Sequence, residues 1–198
     1  MDNIDRRLIH ILQQDGRESL TAIGKKLGMS HVAIGKRLSK LREENEVQIS
    51  AGVNAEPLDI KIVFMGLETQ NMEVADRIAR KYGDCPRLLM LAPVTGRYNL
   101  FAILVAEDTW SMESIIGTCS MATEEGIRNT ETWLGNAPII PQYLPIDLAP
   151  ERNNRNESPC GRDCSDCKRY IMDRCVGCPK TSAYKGKLWI QSAGKNIE

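Results

Sequence analysis

Aromatic residues are scarce in this 198-residue chain: two Phe, three Trp and five Tyr. Any core it forms is therefore mostly aliphatic. Histidine is scarcer still, with His10 and His31 the only two, in separate helical patterns, so histidine-based catalysis has no cluster to work with. Apolar runs such as LFAILVA (100–106) fall far short of the ~20 residues needed to cross a bilayer, and no membrane partner is expected. The start, MDNIDRR, lacks a basic stretch followed by an apolar one; no secretory signal is expected, and the chain reads as cytoplasmic. Net charge is missing too. The 26 Lys and Arg balance 26 Asp and Glu, which alone favours neither nucleic acid nor membrane.

The balance hides a pattern. Residues 1–50 hold 9 basic against 7 acidic side chains, residues 51–150 hold 7 against 13, and residues 151–198 hold 10 against 6. An acidic middle between basic ends predicts three units. Seven cysteines in an intracellular chain point to metal ligands or reactive thiols more than to disulfides. Five of them fall between Cys160 and Cys178, while Cys85 and Cys119 stand apart.

In the first unit Ile4, Leu8, Ile11 and Leu12 share one helical face, with Asp2 and Asp5 at its positive end and Gly16 as its stop. Leu20, Ile23 and Leu27 follow the N-cap candidate Ser19; Ile34, Leu38 and Leu41 follow Ser30. Gly24 lies four residues before Gly28, and Ile34 six after it. Steeply crossed helices need that set: a small residue where backbones touch, a residue tolerant of positive φ, and an aliphatic anchor. The spacing predicts a helix-turn-helix. With Ile34, Leu38 and Leu41 inward, Val32, Gly35, Lys36, Ser39 and Lys40 face out. Ser30 and His31 then sit where recognition helices meet base edges, and Lys36, Arg37 and Lys40 suit phosphates. The expected partner is double-stranded DNA.

IDRRLIHILQQDGR, the KKLGMS turn, and Ile34 followed by Arg37 and Leu38 resemble the N-terminal winged helix-turn-helix of the Lrp/AsnC (leucine-responsive, feast/famine) transcription regulators. The resemblance implies a wing and connecting strands in VQISAGV and the residues to Ile60. Glu46 stands where the family usually has Gly.

After Ile60 the period changes to that of a sheet. IKIVFMGL (60–67), LLMLAPV (88–94), LFAILVA (100–106) and a stretch within 127–135 read as strands. Two helices are interleaved, one burying Val74, Ala75, Ile78, Ala79 and Tyr82, the other Met112, Ile115, Ile116 and Cys119. The order β-α-β-β-α-β predicts a ferredoxin-like fold. Cys119 reads as a buried hydrophobe and Cys85 as a loop residue, neither with a function. A sheet with one face uncovered predicts a homodimer or a higher even-numbered homo-oligomer. This region resembles the ligand-sensing domain of the same regulators, so the resemblance runs to about residue 142. Their Val-Thr-Gly-x-Tyr-Asp turn is matched by Val94-Thr95-Gly96-Arg97-Tyr98-Asn99. It implies a small-molecule effector near Gly96, Tyr98 and Asn99, with Asn99 in place of the usual Asp. A neutral amide forms no ion pair with an α-ammonium group.

Residues 143–159 read as a proline-rich and polar linker. Beyond it Cys160, Cys164, Cys167, Cys175 and Cys178 have the spacing C-x(3)-C-x(2)-C-x(7)-C-x(2)-C. Two C-x-x-C turns, Cys164 with Cys167 and Cys175 with Cys178, suit a tetrahedral zinc, which is favoured narrowly; three cysteines spaced three and two, with Cys178-Pro179, suit an iron–sulfur cluster, the close alternative. Either group would let a segment with little apolar residue fold. The whole is expected to be α+β: a winged helix-turn-helix (1–53), a ferredoxin-like βαββαβ sandwich (54–142), the linker, and a small metal-stabilised cysteine-rich module (160–198).

These features favour a sequence-specific transcription regulator that is not an enzyme, with metal or redox sensing added by the module. Two rivals stand beside it: a sirohaem decarboxylase-type enzyme of tetrapyrrole metabolism, as some Lrp-like proteins are, and a protein-docking adaptor acting through the cysteines. A radical S-adenosylmethionine reading of Cys160, Cys164 and Cys167 fails on length, since 31 residues after Cys167 are too few for a barrel.

Overall fold

A computed structural model describes residues 1–151 and 157–190. Two compact units divide it, Met1–Ala51 and Gly52–Glu198.

The first unit holds α1 (Asn3–Gln14), α2 (Leu20–Leu27) and α3 (His31–Glu43). Asp2 and Asp5 close a reciprocal capping box on α1, each carboxylate accepting the other's backbone N–H. Ser19 and Ser30 cap α2 and α3, each Oγ accepting an N–H three residues on. Gly28 turns the chain at φ 69°. A Cβ on Gly24 would sit 2.5 Å from the Met29 carbonyl oxygen, so the expected close approach is present. Leu8, Ile23, Ile34 and Leu41 form the buried core, each contributing roughly 1.5–3 kcal/mol by burial.

The expected wing is not there as a hairpin. Asn45 supplies the positive φ (55°) that ends α3, and Glu46 offers no second turn residue. Residues 47–52 make no strand pair; β1 (Val53–Asn54) pairs instead with β6 (Tyr143–Leu144).

The second unit is built on β2 (Lys61–Thr69), β3 (Leu88–Pro93), β4 (Leu100–Ala106) and β5 (Ile127–Gly135). They lie in the order β3-β4-β2-β5, every neighbour antiparallel. With α4 (Met72–Tyr82) and α5 (Thr109–Gly117) on one face, this is the expected ferredoxin-like fold. Alternation does the sorting: Val63, Met65 and Leu67 point to the helices, Ile62 and Phe64 to the other face. Ala79, expected inward on α4, is exposed, because Ile78 and Tyr82 fill the stripe. α5 stops at Gly117, so Cys119 lies beyond the helix and not on its apolar face.

The C-terminal region departs further from expectation. Leu144 and Ile146 are buried together with Tyr184 and Trp189 against Ile62 and Val105. Part of the predicted linker is therefore packed structure, while its residues 152–156 lie outside the described residues. The cysteine module, with its short α6 (Lys168–Ile171), has too few apolar side chains for a core of its own. It uses the sheet's open face. No helix among the described residues is long and apolar enough to cross a membrane.

Candidate functional site

The α3 surface divides into residues free to meet a partner and residues already engaged. His31, Val32, Lys36 and Lys40 are exposed. Lys40 Nζ lies 3.8 Å from Glu44, an exposed pair of small energetic weight. Ser30 Oγ is taken by its cap to Ala33. Gly35 sits half-buried, with the position of a Cβ 3.5 Å from Leu20 Cδ1, so it faces α2 and not the open groove side.

Arg37 is a strut. Its Nη1 donates to Asp2 Oδ2 at 2.7 Å and Asp5 Oδ1 at 2.8 Å, tying α3 to the start of α1. The Asp5 N–H, then the Arg37 guanidinium, hold the Asp2 carboxyl down at about 2. The same two carboxylates raise Arg37. A guanidinium held this way is poorly placed to leave for a phosphate.

The loop expected to meet an effector is also tied into the sheet. Asn99 Nδ2 donates to the Thr69 carbonyl at 2.9 Å, and Asn99 Oδ1 accepts the Thr69 N–H at 2.8 Å. Tyr98 lies over Gly66, whose added Cβ would meet its ring at 2.7 Å. Its hydroxyl donates to Glu131 at 2.6 Å, the chief cause of its raised pKa. Gly96 is exposed at φ 147°. Asn99 thus serves as a backbone clamp, and Gly96 and Tyr98 remain at the surface or half-buried.

The cysteines are brought together in a way their spacing did not announce. A cavity of about 550 Å³ within the second unit is lined by all seven, Cys85 and Cys119 along with the module's five. Among the described residues no three His, Cys, Asp or Glu side chains gather closely enough to hold a single ion. The thiols share one cavity lining without three of the described ligand-type side chains converging on a point. Module and sheet domain are stitched at its rim: Arg169 Nε donates to Ser114 Oγ at 2.6 Å, and Arg87 Nη2 to the Gly177 carbonyl at 3.2 Å. Gly177, at φ 83°, packs where a Cβ would lie 2.6 Å from the Ala183 oxygen, so the second C-x-x-C turn depends on glycine.

Sulfur environments differ around the cavity. Burial pushes Cys85 and Cys164 up and takes Cys178 to about 12. Cys119 and Cys160 are hydrogen-bond partners, which raises Cys119 and lowers Cys160, and Ser158 Oγ lies 3.1 Å from the Cys160 sulfur. Arg87 is buried. Burial opposes its charge, but the carboxylate of Glu107 at 2.7 Å outweighs that. Arg87 and Ser111 are among the residues that line the cavity, and Arg87 Nη1 and Ser111 Oγ are buried without a hydrogen-bond partner. Sequence reasoning gave Cys85 and Cys119 no function and passed over Arg87 and Ser111, because residues 41 or more positions before Cys160 carry no spacing signal toward the module.

Comparison with known proteins gives a domain match and a shared fold. Residues 1–42 match the AsnC-type helix-turn-helix domain. An uncharacterized HTH-type transcriptional regulator of Pyrococcus abyssi is 28% identical over 134 residues, 67% of this chain and 84% of that one. The HTH-type transcriptional regulator FL11 of Pyrococcus furiosus is 26% identical over 135 residues, 68% of this chain and 88% of that one. Among solved structures, E. coli AsnC has a TM-score of 0.55 at 20% identity, covering 68% of this chain and 91% of that one. A Neisseria meningitidis regulator in complex with L-Met gives 0.58 at 16%, covering 68% and 88%. The helix-turn-helix followed by a sheet domain is thus the fold of AsnC/Lrp-type regulators.

Proposed function

We propose that the chain is a sequence-specific DNA-binding transcription regulator of the Lrp/AsnC type. One observation carries this: a turn that only Gly24 and Gly28 permit sets out α3 with His31, Val32, Lys36 and Lys40 exposed on it. His31 and Val32 at the helix start read bases, while Lys36 and Lys40 hold phosphates. Ser30 and Arg37 position that helix, and Gly35 lies on the side that faces Leu20 of α2.

Two copies would present paired helices to a pseudo-palindromic site. The apolar strip left on the sheet's open face suits a second copy. There Trp133, 42% exposed, meets Tyr98 edge-on at 6.3 Å and lies 6.4 Å from Phe101. A small-molecule effector near Gly96 and Tyr98 fits that arrangement, and the L-Met complex of the Neisseria protein supports the ligand class. The module's Cys160, Cys164, Cys167, Cys175 and Cys178 add a zinc or iron–sulfur centre, and with it a metal or redox input.

A gel shift with DNA from upstream of the protein's own gene, over a range of salt, tests the reading. Retarded, salt-sensitive complexes that outcompete random DNA are expected. Binding that is equally weak to all sequences would sink it. An absorbance change on adding sirohaem, followed by decarboxylation, would favour the enzyme instead.

A further inference from the structure

The cysteine cavity is larger than a zinc site and richer in donors than the module alone. Zinc draws four thiolates to about 2.3 Å from one ion, which leaves no internal space. Here seven thiols surround about 550 Å³, and no three of the described His, Cys, Asp or Glu side chains meet closely enough for one ion. A cluster carries its own inorganic core, so its ligands stand apart around it. The wall also holds two buried donors with nothing to donate to, Arg87 Nη1 and Ser111 Oγ. Buried donors are costly to leave unpaired. They are placed for an anionic, sulfur-rich occupant.

Direct contacts link the sheet domain to the module: Arg87 Nη2 donates to the Gly177 carbonyl at 3.2 Å, and Arg169 Nε to Ser114 Oγ at 2.6 Å. Cys119, beyond the end of α5, touches Cys160 directly. Residues that the spacing separated into a motif and two strays line one cavity.

We propose that this cavity is the site of a polynuclear iron–sulfur cluster shared between the module and the sheet domain. In it Cys85 and Cys119 supply two of a cubane's four ligands and thiols of the module the other two, and Arg87 and Ser111 donate to the cluster's sulfurs. The inference rests on the reading of the C-terminal cysteines as metal ligands and extends it to the sensing sheet. Loading is by exchange with a preformed cluster on a thiolate carrier: as each S–Fe bond to this chain forms, an Fe–S bond to the carrier breaks, the proton of the ligating S–H passes to the released thiolate, and no electron is transferred. Four thiolates on a cubane core leave a net charge of about −2, which the Arg87 guanidinium partly offsets. Because Cys85 follows α4 and Cys119 follows α5, occupancy of the site acts on both helices that cover the sheet.

The test uses the full chain purified without oxygen, with iron, zinc and acid-labile sulfide counted per chain and visible and electron paramagnetic resonance spectra recorded. The wild type is expected to hold iron and sulfide in equal amounts, roughly four of each for a cubane. Cys85→Ser or Cys119→Ser should lose half or more of the iron or change the spectrum, and a change in either variant supports the shared site. Ser111→Ala should keep the iron and move the reduction midpoint to more negative potential, since one hydrogen bond to sulfur is lost. Where the serine variants do not fold, alkylation of the wild type decides, read residue by residue by mass spectrometry. Cys119 should be protected when loaded and labelled after chelation. Equal labelling in both states, or unaltered iron and spectra in both serine variants, would remove the sheet domain from the site. One zinc per chain without sulfide would overturn the cluster and leave a metal module standing. A chain with neither metal would take down the ligand reading of the C-terminal cysteines as well.

Discussion

At the residue scale, cations that look alike in the sequence divide by what they already hold. Lys36 and Lys40 are exposed, whereas Arg37 binds Asp2 and Asp5. Replacing Lys36 and Lys40 together by Ala should weaken binding to every DNA and lower the salt slope by about two units, with the melting temperature unchanged. Arg37→Ala should instead lower the melting temperature, leaving Asp5 buried without its counter-charge, and leave the salt slope alone. A thermal melt and a salt titration on each variant separate the two. The Asp2 side of this contact also predicts a pH dependence. Its folded pKa is about 2 against an ordinary 3.8, so the stabilisation is complete above about pH 4 and fades as pH falls toward 2. The melting-temperature gap between wild type and Asp2→Asn should close over that window. A gap that persists at pH 2 would show that charge on Asp2 contributes nothing.

At the scale of elements, two short connections carry most of the precision. Gly24→Val would drive a Cβ to within 2.5 Å of the Met29 oxygen, and no side-chain movement relieves a clash with backbone. A loss of about 1–3 kcal/mol is expected, with DNA binding reduced through displaced α3; near-wild-type melting and gel shift would contradict the crossing geometry. In the β3–β4 loop, Asn99→Ala strips both partners from the Thr69 backbone and should cost about 1–3 kcal/mol. A small effect there would mean that water replaces the clamp. These elements also show what was legible in the sequence. Helices with caps and periodic faces, and strands with a period of two, came through within about two residues, because local chemistry decides them. The wing and the linker did not. β1 finds its partner about 90 residues away in β6, and Leu144 and Ile146 find theirs in Tyr184 and Trp189. Pairings at that distance leave no periodic trace. The convergence of Cys85 and Cys119 on the module is the same kind of fact, visible only once the chain has closed.

At the scale of the whole molecule, the sheet's second face must be covered, and two surfaces share the task. One end is taken by the chain itself: Trp189 stacks under Arg87 at 4.7 Å and meets Tyr184 edge-on at 5.9 Å, inside the cluster that includes Ile62 and Val105. Trp189→Ala should therefore destabilise the sheet domain, not just the module, by about 3–5 kcal/mol. The other end stays open, with Met90 40% and Trp133 42% exposed beside Phe101. Aromatic side chains left clustered on a sheet are anchors for a partner, and a second copy presenting the same strip would bury both sets. The C-terminal segment would limit how far two such sheets could overlap, so the proposed contact would centre on Trp133 and Phe101. Trp133→Glu places a carboxylate in the middle of that contact, where its desolvation has no compensation. Sedimentation of the full-length variant at micromolar concentration should show monomers where the wild type shows dimers or larger even assemblies. DNA affinity should fall with it, because a single recognition helix reads half a site. Wild-type assembly in the Trp133→Glu chain would move the interface elsewhere on the molecule; monomeric wild type would remove the paired reading of DNA altogether.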